Sequence, residues 1–598
     1  MKLSGMVRAL SVVAAAALAA CGNSTLGSSG NGGSGGTSAT GGSSGKGGSG
    51  ATGGSSGSGG SSGSGGAKAS GGSSGSGGSS GSGGATSTGG SGGSSGSGGA
   101  KASGGSGGGN SGSGGSSGSG GAATGQGGSS GKGGQGGSSG SGATGQGGSS
   151  GSSGSSGDGG VSVATPSFDW VGVIGSGQSL SVGTTPAALT TQPYNNLMLS
   201  LGSAKVPNAG PDGGVLPGVD PWDPTVSGLT MVPLIEPVRA LETTYPSPYP
   251  GNIYGETPHA AMANEITRFV KAASSSADYI TLHTIVGESG QGIPALIKQT
   301  PNTGSIGRAY AASLFEVGAI NLQAKAASKK YGVGVIVMTH GETDCSNTTY
   351  GDSLVQLLSD YNTDIAAVTG QSYKVPMYLS QQHGCPGAPA CTKETAIRPT
   401  ANDFEWQLGV QHPGEFVCTG PKYQYPAHSD GDGIHLNVTG YELLGEKTAE
   451  IYYQRAVLGQ NWQPLMPIKV TRTSSTVVTV QFHVPNPPLV WDTSFNAPNI
   501  TAYKNGKGFE LFTTNDANGY ITISSVAISG DSVQITASAA LPTTGLNVGY
   551  ALVNQGKQST NHSKAVRWGQ LCDSDPFMGG TTKMPNPNYA VSFSQPVP

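Results

Sequence analysis

The chain has 598 residues, 109 of them glycine, and its 29 Lys and Arg against 32 Asp and Glu give a formal net charge of -3. It carries no dense basic block or basic stripe, which argues against nucleic acid as a partner. With the glycine-rich part set aside, the length suits one large domain and a smaller one.

The chain opens with "MKLSGMVRALSVVAAAALAAC", in which Lys2 and Arg8 precede an apolar stretch from Ala9 to Ala20. That stretch is too short to span a bilayer, and the layout is that of an export signal. Leu18-Ala19-Ala20-Cys21 resembles the bacterial lipoprotein box. The resemblance implies cleavage after residue 20 and a lipid on Cys21. The expected location is the bacterial cell envelope, lipid-anchored, with the folded part in the periplasm or at the cell surface. A simple secreted signal is the rival reading.

Residues 22–160 are almost entirely Gly, Ser, Ala and Thr, in units such as "GGSSGSG". With so little apolar surface to bury, they cannot offset the entropy of ordering, and a disordered tether is predicted. A coil of this length has a root-mean-square reach of about 60–70 Å.

From 165 to 460 apolar runs alternate with helical patterns. "WVGVIG" (170–175), "YITLHTIVG" (279–287), "VGVIVMTHG" (333–341), "VPMYLSQQ" (375–382) and "EFVCTG" (415–420) read as strands. Helices are predicted over 256–275, 306–330, 350–369 and 439–457. This alternation predicts a parallel sheet covered on both faces, with ligands met by the loops beyond the carboxyl ends of the strands. "SGQSLSVG" (176–183), "GESGQG" (287–292) and "THGETD" (339–344) are such loops. From 465 to 598 short alternating runs such as "IKVTRTSSTVVTVQFHV" predict a smaller all-β, sandwich-like domain.

Five cysteines follow Cys21. In an exported protein Cys385–Cys391 and Cys345–Cys418 are the plausible bridges, and the odd number leaves one unpaired. No C-x-x-C spacing supports a zinc site.

A serine hydroxyl needs a base to take its proton and a carboxylate to orient that base. In "HSDGDGIHLNVTGYELLG" (428–445), Asp432 and His435 stand three apart, ahead of a helix capped by Asn437 or Thr439. Ser179 is the candidate nucleophile, with Ser176 and Ser181 as rivals. A calcium reading of Asp430, Asp432 and Asn437 fails for want of a closing glutamate, since Tyr441 holds that position. No metal and no cofactor are expected. His259, His283 and His412 read as structural or exposed.

Ser179 in "GQSLS", the turn at 287–292, "HGETD" at 340–344 and "DGIH" at 432–435, in that order, resemble the SGNH (GDSL-like) hydrolases. Within them the sialate O-acetylesterase and carbohydrate acetylesterase branch begins its first block Gly-Gln-Ser. The resemblance covers roughly residues 170 to 458 and implies the three-layer α/β fold of that family. It implies Ser179 as nucleophile, His435 as general base and then acid, and Asp432 as its orienter. The oxyanion donors would be the N–H of Ser179 or its neighbour and that of Gly290, with Gly287 as second choice. One well-placed donor is worth about 3–4 kcal/mol of barrier.

The third block departs from the pattern. The wider family has Gly-x-Asn-Asp where this chain has Gly341-Glu342-Thr343-Asp344, and the branch has glutamine where His340 stands. A ring nitrogen of neutral His340 or the Thr343 hydroxyl is the candidate third donor. Gln178, Glu342 and Asp344 are assigned to loop support or contact with substrate.

The leading expectation is an envelope-tethered serine esterase that removes small acyl groups, chiefly acetyl, from carbohydrate. No obligate protein partner is expected. The alternatives are a non-catalytic carbohydrate-binding or adhesion lipoprotein, with Trp491 and Trp568 as a possible sugar platform, and a lipase-like esterase.

Overall fold

The computed structural model describes residues 163–202, 222–238, 255–300, 305–382, 384, 401–425, 434–494, 505–513, 520–552 and 567–598. The signal, Cys21 and the tether lie outside them, as do Asp432 and the proposed Cys385–Cys391 bridge. Among the described residues no helix is long and apolar enough to cross a membrane.

The first part is built on seven strands: β1 (Trp170–Gly177), β2 (Leu197–Ser200), β3 (Thr230–Pro233), β4 (Ile280–Ile285), β5 (Tyr331–Thr339), β6 (Met377–Gln381) and β7 (Phe416–Pro421). They form one sheet in the order β3-β2-β4-β1-β5-β6-β7. The five strands predicted from apolar runs are its parallel heart. Every residue of β1 and β5 is buried, as a sheet covered on both faces requires. Outside those five strands the sheet is extended by β2 and by β3, which runs antiparallel to β2 at one edge. These two strands are four residues each and largely half-exposed, so they carry no continuous apolar signature.

The pleat of β1 sorts its side chains onto two faces. Trp170 and Ile174 pack with α3 (Arg308–Ala326), α4 (Tyr350–Thr369) and α5 (Ala401–Gln411), through Phe315, Leu357 and Leu408 among others. Val171 and Val173 pack with α2 (Pro258–Ala273) and α6 (Val438–Tyr452), through Ile266 and Ile451. The result is three layers. Beyond Tyr452 the helical path continues as a π turn over Tyr453–Val457, which accounts for the longer helical pattern in the sequence. A further short helix, α1 (Ser179–Val182), follows β1 directly.

Among the described residues the strand pairs of the C-terminal part are antiparallel. Strands β8 (Met466–Arg472), β9 (Val477–His483), β13 (Ile523–Ser529) and β14 (Ser532–Ala537) form one four-stranded sheet. Strands β11 (Phe509–Thr513), β12 (Tyr520–Ile521), β15 (Leu546–Tyr550) and β17 (Phe593–Pro596) form another. A two-stranded pair joins β10 (Val490–Trp491) to β16 (Leu571–Cys572). On β9 the alternation is strict: Val478, Val480 and Phe482 point inward. They meet Leu511, Val548 and Phe593 of the second sheet in a single apolar cluster.

That cluster also contains Trp406 of α5, Cys418 of β7 and Tyr423 just beyond it. Polar contacts reinforce the join. Ser592 N–H donates to Gln381 Oε1 (2.8 Å), and the Tyr423 hydroxyl donates to the Ala590 carbonyl (2.5 Å). Glu446 of α6 accepts from the backbone N–H of Thr581 (2.6 Å) and Thr582 (3.0 Å).

The expected Cys345–Cys418 disulfide is absent, since both thiols are free and buried, as is Cys572. Cys418 faces the shared apolar cluster, whereas Cys345 sits in the polar loop after β5, near Glu342 and Asp344. Burial pushes the Cys345 thiol up to about 11 and the Cys418 thiol up to about 12, so both stay protonated and unreactive.

The shared core yields a prediction. A chain that starts at 161 and stops at 460 uncovers Trp406, Cys418 and Tyr423 and is expected to aggregate, while 161–598 stays soluble. Size-exclusion chromatography with a hydrophobic dye reads the difference. A soluble, dye-silent 161–460 fragment would contradict the shared-core account.

Candidate active site

The turn after β1 is shaped by Gly177, whose φ of +147° is suited to glycine. A Cβ there would stand 2.1 Å from the Thr339 carbonyl oxygen, so β1 and β5 could not run this close with any other residue. In α1 the N–H groups of Ser181 and Val182 donate to the Gln178 carbonyl (2.8 and 3.2 Å). The first N–H groups, those of Ser179 and Leu180, are not used by the helix.

Ser179 Oγ lies 2.8 Å from His435 Nε2, a contact across 256 residues of sequence. Ser179 is 7 % exposed and His435 is half-buried. His435 stands two residues before Asn437, the N-cap of α6, whose side chain accepts from the Gly440 N–H at 2.9 Å. Leu180, next to Ser179, packs with Ile434 and Leu436, which flank His435, and with Tyr441, Leu443 and Leu444. An apolar cluster thus brackets the serine–histidine contact from both segments. Among the described residues, the buried hydroxyls of the rivals Ser176 and Ser181 bond to no base.

The 287–292 loop lies against the same turn. Glu288 N–H donates to the Gly177 carbonyl (2.9 Å), and the Glu288 carboxylate takes the Arg308 guanidinium in a two-point pair (Nη2 to Oε2, 2.8 Å). A Cβ at Gly287 would meet the Gly177 oxygen at 2.6 Å and Val182 Cγ1 at 2.7 Å. Gly290 is exposed, adopts φ +71°, and has open space where its Cβ would be.

The third block is tied to the first two by its side chains. Gln178 Nε2 donates to Glu342 Oε2 (3.0 Å), and the Thr343 hydroxyl donates to Gln178 Oε1 (2.9 Å). Asp344 Oδ2 accepts from the Ile293 N–H (2.6 Å), and its Oδ1 accepts from Asn347 Nδ2 (2.9 Å). The His340 ring is fully buried, with Nε2 3.0 Å from the Gln291 carbonyl and Nδ1 3.0 Å from the Tyr350 hydroxyl. Burial pushes its pKa below the usual histidine range, although the Asp344 carboxylate pulls the other way. A carbonyl only accepts, so the neutral ring carries its proton on Nε2 and accepts from Tyr350 on Nδ1. Both nitrogens are therefore spoken for, and the expectation of His340 as a third oxyanion donor is corrected on that ground. The Thr343 hydroxyl is likewise directed to Gln178 and not outward.

Asp432 lies outside the described residues. Of the histidines away from the motifs, His412 is half-exposed near Glu415, while His259 and His283 are buried ring to ring, Nδ1 to Nδ1 3.0 Å. Burial pushes His259 down to about 3, so it stays neutral. Among the described residues no group of His, Cys, Asp and Glu could hold a metal ion.

Sequence reasoning missed Arg308 and Lys422. The signal for Lys422 was a single charge directly after the uncharged run "FVCTGP".

No protein-family model matches the chain, and no curated protein matches it. Among solved structures it is similar to a carbohydrate acetylesterase from Xanthomonas citri, at 11% identity and a TM-score of 0.41, covering 71% of this chain and 80% of that one. It is also similar to a protein from Arabidopsis thaliana, at 16% identity and a TM-score of 0.32, covering 48% and 100%. Likeness this low leaves the chemistry to the residues of the site.

The two glycines of the second loop separate by cost. Gly290→Ala is expected to lower stability by about 1–2 kcal/mol through its backbone alone. Gly287→Ala carries no such backbone cost but must push the loop off the Gly177 carbonyl and Val182, and is expected to melt lower. Thermal midpoints of both variants check the order, which the reverse ranking would contradict.

Proposed function

We propose that the protein is a serine esterase that removes small acyl groups, chiefly acetyl, from carbohydrate. The observation that carries the reading is the 2.8 Å contact between Ser179 Oγ and His435 Nε2 at the carboxyl edge of the sheet. A purely adhesive role would give that contact no use.

In this reading Ser179 Oγ attacks the acyl carbonyl carbon while its proton passes to His435 Nε2. The carbonyl oxygen gathers negative charge and is met by the N–H groups that α1 leaves unused, with a backbone N–H of the 287–290 loop beside them. The tetrahedral adduct collapses, and His435 returns the proton to the departing sugar oxygen. Water then gives a proton to His435 as its oxygen attacks the acyl-enzyme. Collapse of the second adduct returns that proton to Ser179 and frees the carboxylic acid. Asp432 would hold His435 in the tautomer that leaves Nε2 free to accept.

Residues 22–160 would serve as a leash from a lipid on Cys21 at the cell envelope, with 165–460 carrying the chemistry and 465–598 completing the folded body. Neither a metal nor an organic cofactor enters the scheme.

The test is acetate release by residues 161–598 from acetylated xylan, O-acetylated sialic acid and p-nitrophenyl acetate. Ser179→Ala and His435→Ala are each expected to lower kcat/KM by at least about 10³-fold with the fold intact. Equal release by wild type and Ser179→Ala would overturn the assignment.

A further inference from the structure

Lys422 opens the turn after β7 and is wholly buried, as is Glu342 in the loop after β5. An ammonium has three protons to place. Lys422 Nζ forms an ion pair with Glu342 Oε1 at 2.8 Å and donates to the His340 carbonyl at 3.3 Å and the Ser380 carbonyl at 3.4 Å. The side chain therefore reaches from the end of β7 past the end of β6 to the end of β5. Glu342 spends its other oxygen on Gln178 Nε2 (3.0 Å). Gln178 is 2 % exposed, and its own carbonyl oxygen is taken by Thr343. The backbone of Gln178 begins α1, and the next residue is Ser179.

We propose that Lys422 is a positioning residue for Ser179: its buried ammonium locks Glu342, and Glu342 locks the Gln178 side chain that sets the turn carrying the nucleophile. The inference rests on the esterase reading and deepens it.

A second buried carboxyl stands nearby without breaking the pairing. Glu405 Oε2 accepts from the Gln382 N–H (2.7 Å). Burial pushes Glu405 well above the usual carboxylate range, against the pull of Lys422 and with the push of Glu342. That shift disfavours charge on Glu405, and the carboxylate that Lys422 approaches at 2.8 Å is that of Glu342. That contact ties the ammonium to the residue that touches Gln178.

The test compares wild type with Lys422→Met, the double variant Lys422→Met/Glu342→Gln, and Gln178→Met. Active sites are titrated with a fluorophosphonate, and kcat is expressed per titrated site on p-nitrophenyl acetate, alongside KM and the thermal midpoint. Lys422→Met strands the Glu342 charge and is expected to melt lower. The double variant removes that charge and is expected to recover much of the midpoint, while Gln178→Met spares the ion pair altogether. All three are expected to lose about 10- to 100-fold in kcat per site with KM nearly unchanged, the signature of a displaced nucleophile. Wild-type turnover per titrated site in the double variant or in Gln178→Met, whatever the midpoint, overturns the positioning role alone. A wild-type protein that takes no phosphonate at Ser179 overturns the esterase reading, and the positioning role with it.

Discussion

Parallel strands end on one edge of their sheet, and the described groups of the candidate site belong to that edge. Ser179 follows β1, the Gly287–Gly292 loop follows β4, the Glu342 loop follows β5, and Lys422 follows β7. Residues far apart in sequence become neighbours because the hydrogen-bonded ladders fix their strands side by side. The 2.8 Å meeting of Ser179 and His435 is a product of this geometry, completed by the apolar contacts of Leu180 with Ile434 and Leu436. Those contacts pull two loops together without asking the polar pair to supply the energy.

The same edge buries charge, which is expensive. Removing an ammonium and a carboxylate from water costs several kcal/mol for each ion, and their attraction offsets this only when the remaining donors and acceptors are also placed. At Lys422 and Glu342 two backbone carbonyls accept from the ammonium and Gln178 donates to one carboxylate oxygen, while the other faces the ammonium as an ion pair at 2.8 Å. A hydrophobic pair of similar size would hold the fold at lower risk. Such a pair directly behind the Ser179 turn is a cost in stability, which the positioning role proposed for Lys422 would offset. The C-terminal sheets belong to the same economy of burial. They cover Trp406, Cys418 and Tyr423, and reach Gln381 at the end of β6 through Ser592. The two folded parts are one packed body at this face.

Much of this was legible in the sequence because parallel strands buried on both faces read as continuous apolar runs. All five such runs became neighbouring strands, and the four long helical patterns became α2, α3, α4 and α6. The antiparallel edge of β2 and β3 was not legible, since four-residue, half-exposed strands give no periodicity. Helix α5 was missed for a related reason: in "ANDFEWQLGVQ" polar and apolar residues share most faces, and tertiary packing decides its path. Ser179 and His435 stood out by residue type and order. The partners of His340 did not, because Gln291 and Tyr350 come from separate segments and only the fold brings them to its ring. Cysteine spacing also misled, as Cys345 and Cys418 face unlike surroundings, one polar and one apolar.

The central claim is that Ser179 becomes covalently acylated during turnover. The most direct measurement quenches the protein in acid while it is turning over p-nitrophenyl acetate, digests it, and locates the acetyl group by mass spectrometry. The account predicts acetyl on the Ser179 hydroxyl, and none there in His435→Ala quenched at the same time. An acetyl group found only on another residue, or turnover with no acylated intermediate on Ser179 at any quench time, would contradict it.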